Sequence, residues 1–235
     1  MKKIAIMQPY FLPYIGYFQL INAADEFVIY DNVQFSKRGW FHRNRILENG
    51  NDVFITLPLK KDSDYLNVAD RCLAENFELS RIKILAKIKN NYRRAPFFDK
   101  IIPLLEDIFN YDNRNLFHFT NNSISIISDY LSIHTPKIIS STMDIDHNLR
   151  GKAKVKAIVK ERNADVYINP IGGTQLYNTS DFKKDGIELR FLKTSNYAYP
   201  QFDNNFIPFL SILDVLMFNE IAEIQDVIIN KFTYE

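Results

Sequence analysis

The chain has 235 residues, 46% hydrophobic and 14% aromatic, which suits one large folded domain, or a domain with an insertion, and excludes a disordered protein. Its 29 basic against 28 acidic residues leave no net field that calls for nucleic acid or an anionic membrane. One cysteine, Cys72, excludes an intrachain disulfide and a thiolate-rich zinc site, and fits a reducing, cytoplasmic setting.

The start carries Lys2 and Lys3, but the apolar stretch behind them is interrupted at Gln8-Pro9, too short for an export signal. Residues 2–7 read as a buried strand, 16–24 as a helix and 26–30 as a second strand, the βαβ order that favours a parallel sheet. Residues 54–59 read as a third strand closed by Pro58, after the turn signal Glu48-Asn49-Gly50-Asn51. Over 79–92, Ile82, Leu85, Ile88 and Tyr92 recur at helical spacing with a basic outer face, and 101–109 and 115–131 continue in that spacing, punctuated by Pro96 and Pro103. Residues 137–140, 165–169 and 186–192 return to strand character, with a basic helix over 152–163. Residues 206–231 read as one closing helix on Phe206, Phe209, Leu210, Leu213, Met217, Ile221 and Ile224. Its most apolar part contains Ser211 and Asp214 and falls short of the roughly 18 apolar residues that span a membrane. The expected class is α/β: a mostly parallel Rossmann-like sheet with flanking helices, in a single domain 1–235 with a helical layer or insertion at about 76–133.

Ligands of open α/β sheets gather beyond the carboxyl ends of the strands, and three unusual segments fall at such ends. In the first, residues 8–16, Pro9 and Pro13 stiffen a loop that presents Gln8 and Tyr10, and Gly16 allows close backbone approach; an aromatic turn packed on the core is the other reading. The second, residues 31–45, mixes Asp31, Gln34, Lys37, Arg38, His42, Arg43, Asn44 and Arg45 with Trp40 and Phe41, a pattern suited to phosphate, carboxylate or nucleotide. The third, "NPIGGTQLY", places Gly172, Gly173 and Tyr177 after a strand, a weak phosphate-cradle signal. Ser140, Ser141, Thr142, Arg150 and Lys152 precede it, as ligand contacts or as caps and exposed face. Asp144, Asp146 and His147 read as a polar turn rather than a cation site, and no metal site is expected. Ser211 and Asp214 share one helix face, and a buried polar pair there needs partners to support the site.

The stretches "QPYFLPYIGYFQLI", "ADEFVIYDNVQFSKRGWFHRNRI", "INPIGGTQLY", "YPQF" and "FIPFLSILDVL" together resemble the WbqC-like protein family, bacterial proteins often encoded in gene clusters for O-antigen and related lipopolysaccharide surface sugars. The resemblance covers nearly the whole chain and is weakest over the helical middle. It implies aminoacyl (glycyl) or acyl transfer to the amine of a nucleotide-linked amino sugar. On that expectation Asp31 or His42 serves as base, Gln8, Asn44 or backbone amides as oxyanion donors, and Arg38, Arg43 and Arg45 as the diphosphate grip. A weaker likeness to nucleotidyltransferase folds rests on the first loop and on "IISSTMDIDHNLRG", but the paired histidines of those enzymes are missing from the first loop. ATP therefore stays open as a co-substrate of a nucleotidyl-transfer or ligase alternative, and a non-catalytic nucleotide-sugar binding protein is the third reading.

Overall fold

The structure, a computed structural model, describes residues 1–202 and 205–235. Strands β1 (Lys3–Met7), β2 (Glu26–Ile29), β5 (Lys137–Ile139), β6 (Val166–Pro170), β7 (Glu188–Thr194) and β8 (Phe232–Tyr234) form one sheet in the order β5-β2-β1-β6-β7-β8. All neighbours pair in parallel except β7 with β8. The fold is therefore the mixed α/β, mostly parallel class that the βαβ pattern predicts. It lies between two apolar layers, and the pleat of β1 sorts its side chains between them. Ala5 joins a cluster with α1 (Ile15–Asn22), α7 (Ile212–Phe218) and α8 (Ile221–Asn230), whereas Ile4 and Ile6 join one with Val155, Ile158 and Val159 of α5 (Gly151–Glu161) and Phe182 of α6 (Thr179–Lys183).

Between β2 and β5 the chain makes a long excursion. Strands β3 (Arg43–Glu48) and β4 (Asn51–Thr56) form a separate antiparallel ribbon, followed by helices α2 (Phe77–Tyr92), α3 (Phe98–Phe109) and α4 (Leu116–Tyr130). The strand expected over 54–59 is thus not a member of the parallel sheet. Asn49 and Gly50, at φ 50 and φ 75, make the positive-φ turn that reverses the chain, and the partner strand was hidden because Arg43 and Arg45 alternate with buried Asn44 and Ile46. Ile82, placed on the apolar stripe of α2, is 61% exposed; Ile88 and Tyr92 carry the buried face. Pro103 lies inside α3 rather than ending a helix.

The single helix expected over 206–231 is two helices. Ser211 Oγ caps α7 by accepting from Leu213 N at 3.3 Å. The chain then becomes extended at Asn219, which donates from Nδ2 to Val215 O and accepts from Tyr197 Oη at 2.8 Å, so the apolar spacing continues through a break. Strand β8 and helix α6 are too short for a periodic signal.

Candidate functional site

The chain leaves β1 for β2 on one side and returns to β6 on the other, so the topological switch point lies between β1 and β6. The loop 8–16 stands at the carboxyl end of β1 there, held by hydrogen bonds to its carbonyls. Tyr17 Oη donates to Gln8 O at 2.9 Å, Asn44 Nδ2 to Phe11 O at 2.9 Å and Leu12 O at 2.8 Å, Ser211 Oγ to Leu12 O at 2.8 Å, and Ile212 N to Pro13 O at 2.8 Å. These bonds hold Leu12 at φ 45, in the left-handed region that a side chain with a Cβ rarely adopts. Gly16 sits in the first turn of α1, where a Cβ would collide with the Tyr14 ring and with Thr194 Oγ1.

A cavity of about 310 Å³ opens at the switch point, walled by Gln8, Tyr10, Tyr30, Asn169, Gly172, Gly173 and Tyr177. The predicted first and third segments therefore meet. Gly173 is required for packing, because a Cβ would occupy the place of the Asn169 amide, which itself accepts from Tyr167 Oη at 3.0 Å. Among the described residues no charged side chain lines this cavity. Burial pushes Tyr10 up to about 12, with the Tyr14 phenol adding to it, and burial likewise raises Tyr30 and Tyr177, so all three offer neutral O–H groups at neutral pH.

Tyr30 also borders a second lobe of about 650 Å³, lined by Asn32, Gln34, Tyr65, His147, Arg150, Gly151 and Lys154. The amino end of α5 faces it, with neither an acidic residue in its first turn nor a side-chain cap. Lys152, Lys156 and Lys160, four apart on one face of α5, pair with Asp181 and Asp185. Arg150 and Lys154 have no ion-pair partner within 4.0 Å among the described residues. Lys154 is 3% exposed, with Nζ 5.3 Å from the Tyr30 ring centroid and 3.5 Å from Asn32 O. Burial lowers its pKa while the Asp31 carboxylate opposes that shift. His147 bridges Met143 O through Nε2 at 3.1 Å and the Asn32 amide through Nδ1 at 3.0 Å, which assigns the proton to Nε2.

The second predicted segment disperses. Asp31 is 1% exposed, and its oxygens accept from Ser140 Oγ and Ser141 N at 2.9 Å and from Ser141 Oγ at 2.6 Å, beneath the cleft rather than in it. His42 lies outside both lobes, against Phe35; burial, then Arg43 and Arg71, lower its pKa to about 4. Asn44 spends both amide hydrogens on the loop. Arg43 reaches Arg38 O at 2.8 Å and covers Phe54, whereas Arg45 pairs with Asp52 at 3.1 Å and lies over Trp40, and Arg38 projects at a different, exposed surface. The three arginines do not converge. Asp214, fully buried on α7, accepts from Tyr92 Oη at 2.8 Å, Tyr199 Oη at 2.7 Å and Gln201 Nε2 at 2.6 Å, and with Ser211 it supports the architecture. Sequence reasoning passed over Lys154, Tyr30, Asn32 and Asn169. Lys154 alone left a signal, falling off the face that its neighbours at spacing four share.

The sequence profile of the WbqC-like protein family matches residues 8–226, nearly the full length and including Gln8, Tyr10, Lys154 and the Gly172-Gly173 wall of the cleft. The chain belongs to the WbqC-like family. This WbqC-like protein is 28% identical over 228 residues to a Mycobacterium tuberculosis (strain ATCC 25618 / H37Rv) protein described as uncharacterized protein Rv1507c, covering 96% of this chain and 97% of that one. No solved structure matches it significantly. Among its described residues no helix is long and apolar enough to cross a membrane, and no three metal-ligating side chains cluster.

Proposed function

We propose that this WbqC-like protein is an enzyme that transfers an aminoacyl or acyl group to the amine of a nucleotide-linked amino sugar, with the diphosphate at the amino end of α5. The observation that carries this reading is the uncapped helix start beside unpaired Arg150 and buried Lys154, at the switch point of a parallel sheet. Backbone N–H groups and two cations there suit a diphosphate, and the adjoining uncharged lobe suits a sugar.

In this scheme the sugar amine attacks the carbonyl of an activated acyl donor, a thioester or an acyl phosphate or adenylate made with ATP. Neutral donors of Tyr10, Tyr30 and Gln8 stabilise the oxyanion, and its collapse breaks the bond to the leaving group, releasing the thiol, phosphate or AMP. A substrate ammonium takes the place of the Asn32 amide as donor to His147 Nδ1, making His147 the proton acceptor. Asp31 holds the Ser140-Ser141 turn and its charge faces Lys154. His42 has no role in it.

The test is incubation of the protein with thymidine- or uridine-diphospho-amino sugars, glycine and ATP, or with acyl thioesters, read by mass spectrometry. An acyl or glycyl adduct is expected, and Lys154→Met should raise KM for the sugar nucleotide. Pyrophosphate or phosphate released in step with the adduct would identify the ATP-dependent ligase version. Tight sugar-nucleotide binding without an adduct across the panel would make the protein a binder instead, and absence of both would overturn the proposal.

A further inference from the structure

On the far side of the loop 8–16 the carboxyl end of β7, the start of α1 and residues 195–199 and 206–210 border another cavity of about 390 Å³, within the range of small-molecule sites. Tyr14, Tyr197, Tyr199, Phe206 and Phe209 supply its aromatic wall, and among the described residues none that lines it is charged. Tyr197 Oη donates to Asn219 Oδ1 at 2.8 Å and Tyr199 Oη to Asp214 Oδ1 at 2.7 Å, so those two tyrosines offer ring surface to the space, and its polar groups are the neutral ones of Thr194, Ser195 and Asn196 along one edge. Asp214 is 0% exposed behind Tyr199 and cannot reach a guest. Among the described residues a phosphate or carboxylate finds no cation in this wall, and its aromatic surface suits an apolar guest.

The mouth carries a second sign. Phe209 is held at φ 57 with 64% of its surface exposed, a strained backbone that presents a large apolar ring to water. Folding gains nothing from that exposure, and strain of this kind collects at ligand sites. Its ring stands edge-on to Tyr14 at 6.2 Å, and both residues also line a bridging cavity of about 220 Å³ that includes Tyr10 and Trp40. Tyr10 in turn walls the switch-point cavity. The three cavities thus share walls in series, from the switch point through Tyr10 to Tyr14 and Phe209.

We propose that this aromatic cavity is a second ligand subsite, which takes an uncharged acyl chain or aryl ring. The inference stands on the cavity's own lining, and if acyl transfer is the reaction, the guest is the apolar end of one of its substrates. Gly16 belongs to the same device, since a Cβ there would strike both Tyr14 and Thr194 of the wall.

Trp40 is the chain's one tryptophan and borders the bridging cavity, so it serves as reporter. Titration with the neutral dye N-phenyl-1-naphthylamine should quench Trp40 by energy transfer, saturate at about one dye per chain, and be reversed by medium-chain N-acyl amides. Ala198 and Asn196 are exposed at the wall, and Ala198→Phe or Asn196→Phe should weaken dye binding at least tenfold at unchanged melting temperature. Whichever of the two folds as the parent does is used. Uridine diphosphate, titrated in parallel, should neither displace the dye nor feel these substitutions. Non-saturable quenching, unaltered binding in the filled variant, or displacement by uridine diphosphate would each overturn the inference. Failure of the nucleotide to bind at all, with dye binding intact, would count against the nucleotide-sugar reading alone.

Discussion

Asn44 donates two hydrogen bonds to consecutive carbonyls of a loop it is far from in sequence, and those carbonyls are buried against it. Removing the donors leaves Phe11 O without its donor and Leu12 O with Ser211 Oγ alone, so Asn44→Ala should cost about 1–3 kcal/mol in urea denaturation. Asn44→Asp keeps the shape but turns an anion on those carbonyls, and it should destabilise at least as much; a milder effect would show that packing alone fixes the loop. His42 makes a pH prediction. Its folded pKa of about 4 lies below the ordinary 6.5, so the unfolded chain takes up the proton first and stability falls as pH drops from 6.5 toward 4. Partial exposure of the ring holds the total to roughly 1–3 kcal/mol. His42→Phe should flatten that limb of a stability-against-pH curve, and an unchanged slope would assign it to other groups.

At the scale of the element, α5 is divided between two tasks. Three lysines tie its outer face to Asp181 of α6 and Asp185 just beyond it, while among the described residues Arg150 and Lys154 have no ion-pair partner beside its amino end. Lys154→Met keeps the buried length and removes the charge; uridine diphosphate affinity, measured by calorimetry, should fall about tenfold, the value of one charge-assisted contact. The same change at Lys160, on the paired face, should leave affinity alone. Equal losses at both positions would indicate a diffuse field rather than a site. The 3-10 turn Ile171–Gly173 depends on Asn169 passing where a Cβ would be, so Gly173→Ala should cost about 1–3 kcal/mol by overpacking. Gly172→Ala, which has open space, should cost far less, and thermal melts of the pair separate the two glycines.

For the whole molecule, one apolar cluster runs from Phe11 and Phe27 of the sheet side through Tyr92, Leu105 and Phe119 of the helical excursion to Leu213 of α7. Hydrogen bonds join the same regions, with Tyr92 Oη accepting from Leu47 N at 2.9 Å and donating to Asp214. We therefore expect the helical excursion to unfold with the sheet as one domain. Trp40 fluorescence and far-ultraviolet circular dichroism should give coincident urea transitions, and an early loss of helix signal would mark α2–α4 as a separate unit.

The sequence by itself determined the sheet and its principal helices, because strands β1, β2 and β6 are short apolar runs and α1 and α5 follow or precede them with the spacing that local sterics and burial impose. It also marked residues 8–16, 31–45 and 169–177 as loops at carboxyl ends of strands, but the pairing of β1 with β6, which puts the first and third side by side, came only from the fold. Tertiary structure alone decided the rest. Asp31, Asn44, Arg43 and Arg45 resemble ligand contacts in a linear chain, yet Asp31 and Asn44 found partners distant in sequence, the Ser140-Ser141 turn and the loop carbonyls, and the two arginines found theirs within the β3–β4 ribbon, over Phe54 and at Asp52. Lys154 ends without a carboxylate partner because the acidic residues of α6 lie on the other side of α5. Which polar group stays free for a ligand depends on which others are already satisfied, and only the fold brings those partners within hydrogen-bonding distance.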